Sequence, residues 1–365
     1  MSETLTHLLD RSLSSGDPIV IDGALGTALE SRGIDLDHEL WSAGLLRDDP
    51  EAIAEVHRDY IRAGARIITT ASYQATPLGF ASLGLSPDEG RTLIARSVEV
   101  ARAARADTDS ATHSRTRAAA DAGANPGAAE VLVAGSVGPY GAALGDGAEY
   151  TGDYSLTPAE FAEFHRPRIA ALVDAGADLL AIETQPHLTE IEALCTLADE
   201  HSAPAWLSVT LADGEHLADG SPLTALAEVV SAHESIRAVG VNCVSPSLVA
   251  PALRALAGAT ALPLIAYPNS GEVYDARTME WRTPEDSGRS PVHLGEEAPD
   301  DPGTGAGGGA GGDVAESADG AAADPGGGTT TFPIEDWARL GALLIGGCCR
   351  TGPADIAGIA RRLTA

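Results

Sequence analysis

The chain has 365 residues, with 53 acidic against 23 basic side chains, a formal charge of −30, and every basic residue is arginine. So acidic a surface repels phosphate backbones and excludes a nucleic-acid binder, and no uncharged apolar stretch reaches the roughly 18 residues of a membrane-spanning helix. Four cysteines in a chain of this length do not make a disulfide framework. With 44% apolar residues and no basic segment leading into an apolar run in MSETLTHLLDRSL, the expectation is a cytoplasmic protein with a sizeable core. The acid surplus and missing lysine fit GC-rich coding and salt adaptation better than any charged substrate, because salt screens surface fields within about 10 Å.

In chain order, short β-branched runs alternate with longer helical stretches. The strand candidates are PIVID (18–22), ARIITTAS (65–72), VLVAGSV (131–137) and DLLAIET (178–184), then AWLSVTL (205–211), IRAVGVNC (236–243), LPLIAYPN (262–269) and GALLIGGC (341–348). They are apolar on both faces, the pattern of parallel strands covered by helices. Helical patterns lie between them, for instance over 50–65 and 157–177. Thr157 followed by Pro158 reads as an N-cap with proline at the first helical position, and Gly176 as the far end. Residues 106–129 and 298–331 lack an apolar period, and the second is almost free of large apolar side chains, so both are expected to be disordered surface insertions.

Eight such runs with crossovers between them predict a (β/α)8 barrel, a single domain spanning 1–365 with two insertions. The rival, a doubly wound dinucleotide-binding sheet, needs a GxGxxG turn after the first strand. DGALGTALE (22–30) has glycines only at Gly23 and Gly26.

Reactive groups of a barrel gather at the C-terminal strand ends. Those ends deliver Asp22, Ser72 with Tyr73, Glu183, Asn242 with Cys243, Tyr267 with Asn269, and Cys348 with Cys349. One buried cysteine alone is ordinary packing, the reading given to Cys195 amid Ala and Leu of a helix. Three cysteines on neighbouring strand ends are a thiolate cluster, which favours zinc and leaves a fourth position open. The Gly346-Gly347 pair is expected to let the backbone turn tightly enough for both adjacent thiols to reach one ion. Two carboxylates at the same mouth suit an ammonium group; a glycosidase pair would leave the cysteines without a purpose. His57, His165, Trp206 and Trp337 read as packing or surface residues.

GVNC (240–243) and GGCC (346–349) resemble the two zinc-ligand motifs of zinc-dependent homocysteine S-methyltransferases. The resemblance runs through DGALGTALESRG, TTASYQA, GSVGPYGA, ETQPHLTEIEA, YPNSGEVYD and GGCCRTGPADI, and excludes the two low-complexity stretches. It implies one zinc on Cys243, Cys348 and Cys349, with Asp22 and Glu183 on the amino group of homocysteine and Ser72 near its carboxylate. Tyr73, Gln74, Asn242 and Asn269 are expected to line the pocket. SYQA and YPNSGE look closer to enzymes that use S-methylmethionine or S-adenosylmethionine than to those using betaine. Thr184 stands where the betaine-using pattern has a tyrosine, which leaves the fourth position to water or a weak ligand until substrate arrives. The implied activity is methyl transfer to homocysteine, forming methionine. The rivals are a methyltransferase for another thiol or selenol, such as selenocysteine, and a non-catalytic zinc protein.

Overall fold

The computed structural model describes residues 5–36, 41–120, 131–271, 273–275, 280–282 and 331–364, with side chains left out over 41–43, 109–120, 273–275 and 280–282. Eight parallel strands form the predicted barrel: β1 (Ile19–Val20), β2 (Ile67–Thr69), β3 (Leu132–Val137), β4 (Leu179–Gln185), β5 (Ala205–Val209), β6 (Ile236–Asn242), β7 (Leu264–Tyr267) and β8 (Ala342–Ile345). Each pairs with its sequence neighbour from β2 to β7, and β8 slots between β7 and β1. The ring closes through a parallel bridge between Ile21 and Ile67, with Asp22 N–H donating to Ile67 O at 3.1 Å. A two-stranded hairpin, Val273–Asp275 with Glu280–Arg282, follows β7.

The strands are Val-, Ile-, Leu- and Ala-rich because both faces are covered. One face meets the helices: Ile68, Val133, Leu180, Leu207, Val239 and Ala266 join the outer core with Ile53, Val98, Leu172, Leu194, Leu226 and Leu253. The other fills the barrel, where Ile19, Ile21, Ile67, Leu132, Leu179, Trp206, Ile265 and Leu344 interdigitate. The helix Leu5–Ser15 lends Leu5, Leu8 and Leu9 to this inner cluster, an apolar stripe at helical spacing that packs on the barrel interior.

Helix ends follow the punctuation of the sequence. Thr157 accepts from Glu160 N–H in a capping box, Pro158 opens the helix Pro158–Asp174, and Gly176 follows at φ 85°. Asp49 caps Pro50–Ala63, which stops at Gly64 with φ 111°. The segment 106–129 departs from expectation: the helix Pro87–Ala120 continues through its first part, and 121–129 lies outside the described residues. Ala and Arg are strong helix formers, so a helix can form there without an apolar stripe. The second expected insertion, 298–331, lies outside the described residues except for Thr331. Among the described residues no helix is long and apolar enough to cross a membrane.

Candidate active site

The three cysteines and the two carboxylates read from the strand ends come together at one mouth. Cys243 ends β6, and Cys348 and Cys349 lie just beyond β8; their sulfurs fall within 4.8 Å of one another, with Cys243 Sγ 3.6 Å from Cys349 Sγ. The backbone fixes this convergence. Cys243 N–H donates to Tyr267 O at 3.3 Å, Cys348 N–H to Pro268 O at 2.8 Å, and Ser270 N–H to Cys349 O at 3.1 Å. The carbonyl of Cys348 accepts from both the N–H (3.0 Å) and the hydroxyl (2.5 Å) of Thr351.

The glycines before the cysteine pair serve close approach rather than an unusual turn. A Cβ on Gly346 would sit 2.4 Å from Ile21 Cγ1, and one on Gly347 would sit 2.2 Å from Thr351 Oγ1. The left-handed conformation falls instead on Cys243 (φ 53°) and Arg350 (φ 64°). Strained backbone of this kind persists only where its surroundings enforce it, and it clusters at functional sites.

Three thiols this close cannot all ionise side by side without a cation. Hydrogen bonds from the Cys243 and Cys348 thiols hold that of Cys349 well below its usual range. The Cys348 thiol is pushed up, first by its hydrogen bonding to Cys243 and Cys349 and then by burial. Tyr150 adds a phenol 3.4 Å from Cys243 Sγ. A cluster of sulfurs this close, in which one thiolate already gathers its neighbours' protons, is suited to a thiophilic metal.

Two carboxyls share the mouth, Asp22 buried and Glu183 half-buried. Asp22 accepts from Thr69 N–H at 2.7 Å and Thr69 Oγ1 at 3.1 Å. Burial, reinforced by the charge of Glu183, raises its pKa to about 8. Glu183 accepts from Ser136 Oγ and, at 3.1 Å, from Tyr267 OH; burial raises its pKa to about 7. Each waits, in effect, for a cation that would restore its charge.

The remaining expected residues divide. Ser72 is fully buried; its hydroxyl donates to Ser136 O at 2.8 Å and bonds Thr70 Oγ1 at 2.7 Å, so its side chain ties β2 to β3. Asn242 is also fully buried, with its amide engaged on Thr184. Asn269 leaves its side-chain oxygen buried without a partner. Tyr73 lies near Glu149, Cys243 and Glu183, and burial drives its phenol well above the usual range. Gln74 is half-buried. Cys195, Trp206 and Trp337 are packing residues, as expected. His57 and His165 are buried too, and His165 Nε2 lies 2.6 Å from Glu190 Oε1.

Sequence reasoning passed over Thr69, Ser136, Glu149 and Tyr150. Thr69 and Ser136 were discoverable, since both sit on barrel strands close to the C-terminal ends. Glu149 and Tyr150 belong to the short 3-10 turn Ala148–Tyr150, well past β3, where no strand-end rule reaches.

A parallel barrel whose mouth joins a three-thiol cluster to two carboxyls raised by burial has the form of an enzyme that handles a sulfur substrate on a metal. Residues 19–363 match the family model of homocysteine S-methyltransferases. The homocysteine S-methyltransferase of Escherichia coli strain K12 is 45% identical over 359 residues, 98% of each chain. The selenocysteine methyltransferase of Astragalus bisulcatus is 36% identical over 357 residues, 96% of this chain and 94% of its own. The crystal structure of the metallated form of the E. coli homocysteine methyltransferase MmuM superposes with a TM-score of 0.73 at 42% identity, covering 98% of this chain and 99% of that one. The chain belongs to the homocysteine S-methyltransferase family, and it is an enzyme.

Proposed function

We propose that the chain transfers a methyl group from a sulfonium donor, S-methylmethionine first and S-adenosylmethionine second, to the sulfur of L-homocysteine, forming L-methionine. One observation carries the reading: three thiols close enough to share an ion lie at the same mouth as two carboxyls raised by burial, neither in an ion pair among the described residues.

The sulfur geometry fits zinc. Tetrahedral zinc with bonds of about 2.3 Å holds its thiolates about 3.8 Å apart, and Cys243 and Cys349 already stand at 3.6 Å. Cys243, Cys348 and Cys349 would hold the ion. Once bound, zinc supplies a Lewis acid that keeps a thiol of ordinary pKa, about 8.5, as its thiolate at neutral pH. Three thiolate ligands leave the site anionic, so an incoming sulfur keeps its electron density.

The rest falls to the protein. Asp22 and Glu183 lie together, each fixed by hydrogen bonds from neighbouring strands, and form a seat for the ammonium group of homocysteine. That ammonium offsets the burial that raises both carboxyls. Asn269, with an unpartnered oxygen at the end of β7, and Tyr73 and Gln74, after β2, line the approach. Ser72 fixes the β2 end near the substrate carboxylate through its bond to Ser136 O.

In the reaction the homocysteine sulfur donates an electron pair to the methyl carbon, and the carbon–sulfur bond of the sulfonium breaks. The leaving thioether keeps that pair and the donor's positive charge disappears. The thiol proton has already passed to solvent. No side chain needs to touch the methyl group, so the protein acts by holding sulfur and carbon in line. If S-methylmethionine is the donor, both products are methionine.

The test is sulfur coordination. X-ray absorption at the metal edge should report three sulfurs in the resting protein and four after homocysteine is added; an unchanged count would contradict the reading. A second acceptor is favoured by the relatedness to the selenocysteine methyltransferase. Competition between selenocysteine and homocysteine for methylation separates the two.

A further inference from the structure

Glu149 is a carboxylate the proposed reaction leaves unused. It follows Ala148 in the 3-10 turn Ala148–Tyr150, and that turn is pinned: Thr210 Oγ1, beyond β5, donates to Glu149 O at 2.9 Å, and Ala148 N–H donates to Asp146 Oδ1 at 3.1 Å. The next residue reaches the metal cluster, with Tyr150 OH 3.4 Å from Cys243 Sγ. Glu149 therefore belongs to the wall of the mouth opposite the β1 end.

Its surroundings are wrong for a structural carboxylate. Oε2 is buried and has no hydrogen-bond partner. The charges nearest it are those of Asp146 and Cys349, both of its own sign, and the phenols of Tyr73, Tyr150 and Tyr154 are raised partly by its field. The buried guanidinium of Arg168 is already bonded to Tyr73 O, Gly138 O and His165 Nδ1. Its own N–H is the one donor to this half-buried carboxylate, and among the described residues no cation pairs with it. A carboxylate with a buried, unserved oxygen is costly, and such groups persist where a ligand supplies the missing charge. Homocysteine's ammonium is already provided for by Asp22 and Glu183. The other substrate is the one that brings a cation.

We propose that Glu149 is the counter-charge for the cationic group of the methyl donor and selects sulfonium donors over neutral ones. The inference rests on the sulfonium-donor reading above. Two groups of S-methylmethionine share this chemistry, the sulfonium and the ammonium, and they differ in consequence. A carboxylate on the sulfonium stabilises the ground state more than the transition state, since that charge vanishes as the methyl leaves; one on the ammonium stabilises both alike.

The experiment measures the affinity of S-methylmethionine, and of its analogue lacking the amino group, for the metal-loaded full-length protein by calorimetry. It compares wild type, Glu149→Gln, Glu149→Asp and the control Asp153→Asn, an exposed acid nearby. Methionine formation, metal content and homocysteine affinity are followed in parallel. Glu149→Gln should weaken S-methylmethionine about tenfold or more, with metal content and homocysteine affinity held and part of the loss restored by Glu149→Asp. Equal weakening of the analogue assigns the sulfonium; weakening of S-methylmethionine alone assigns the ammonium. Unchanged sulfonium affinity in Glu149→Gln, equal weakening in Asp153→Asn, or loss of metal or homocysteine binding along with donor binding would overturn the role of Glu149 while methyl transfer by wild type stands. Absence of wild-type turnover from any sulfonium would instead defeat the reaction itself.

Discussion

The side chain of Asn242 clasps Thr184 from both sides: its Oδ1 accepts from Thr184 N–H at 2.8 Å and its Nδ2 donates to Thr184 Oγ1 at 2.8 Å. Thr184 stands at φ 60°, an unusual conformation for a β-branched residue, immediately after Glu183, the proposed substrate carboxyl. Asn242 immediately precedes Cys243, itself at φ 53°. One buried amide thus couples the backbone of a proposed metal ligand to that of a proposed substrate ligand.

Asn242→Ala leaves the Thr184 amide buried without a partner and releases two strained residues. The expected cost is about 1–3 kcal/mol of stability, the penalty for an orphaned buried donor. A several-fold rise in the KM for homocysteine should accompany it. Chemical denaturation and steady-state kinetics check both; an unchanged KM would separate Asn242 from the substrate seat.

Cys348→Ala should abolish metal binding and activity while leaving the barrel folded. Cys348 contributes only partly to the inner core, and the backbone bonds that fix its loop do not involve its sulfur. Metal analysis, circular dichroism and turnover check this. A variant that keeps full activity would exclude a catalytic site of three cysteines.

The raised carboxyls predict a pH dependence with a defined sign. Asp22 has an ordinary pKa of 3.8 and about 8 in the folded, ligand-free protein. A group raised on folding contributes stability that is fully present below its unfolded value and is lost as pH climbs through the folded value. The ligand-free protein should therefore lose stability from pH 4 to 8 partly through Asp22. In Asp22→Asn that decline should shrink, by about 2 °C or more in Tm at pH 8 relative to wild type, and homocysteine affinity should collapse. Thermal melts of metal-free protein across pH provide the check; parallel curves for the two proteins would contradict the assignment.

Much of this was legible from residues alone, and the exceptions have physical reasons. The barrel could be read because two-sided burial leaves uniformly apolar strands, and the three cysteines stood out because they fall at strand ends, although the strands are not neighbours as expected: β7 lies between β6 and β8. The helix across 106–120 escaped notice because an apolar period reports burial, not helicity. Leu5, Leu8 and Leu9 carry an ordinary amphipathic stripe, and nothing local tells that it faces the barrel interior rather than a neighbouring helix. Ser72 and Asn242 follow or end strands, but their type could not distinguish lining the pocket from the bracing bonds they make. Glu149 and Tyr150 reach the site from a loop, and only the folded chain brings them to Cys243.

The most direct test is methionine formation from homocysteine, with S-methylmethionine, S-adenosylmethionine and betaine offered separately to the purified protein, with and without a zinc chelator. The account predicts product from a sulfonium donor, S-methylmethionine above S-adenosylmethionine, none from betaine, and loss of product on chelation that zinc restores. Zinc-loaded protein that forms no methionine from either sulfonium, or that turns over undiminished under chelation, would contradict it.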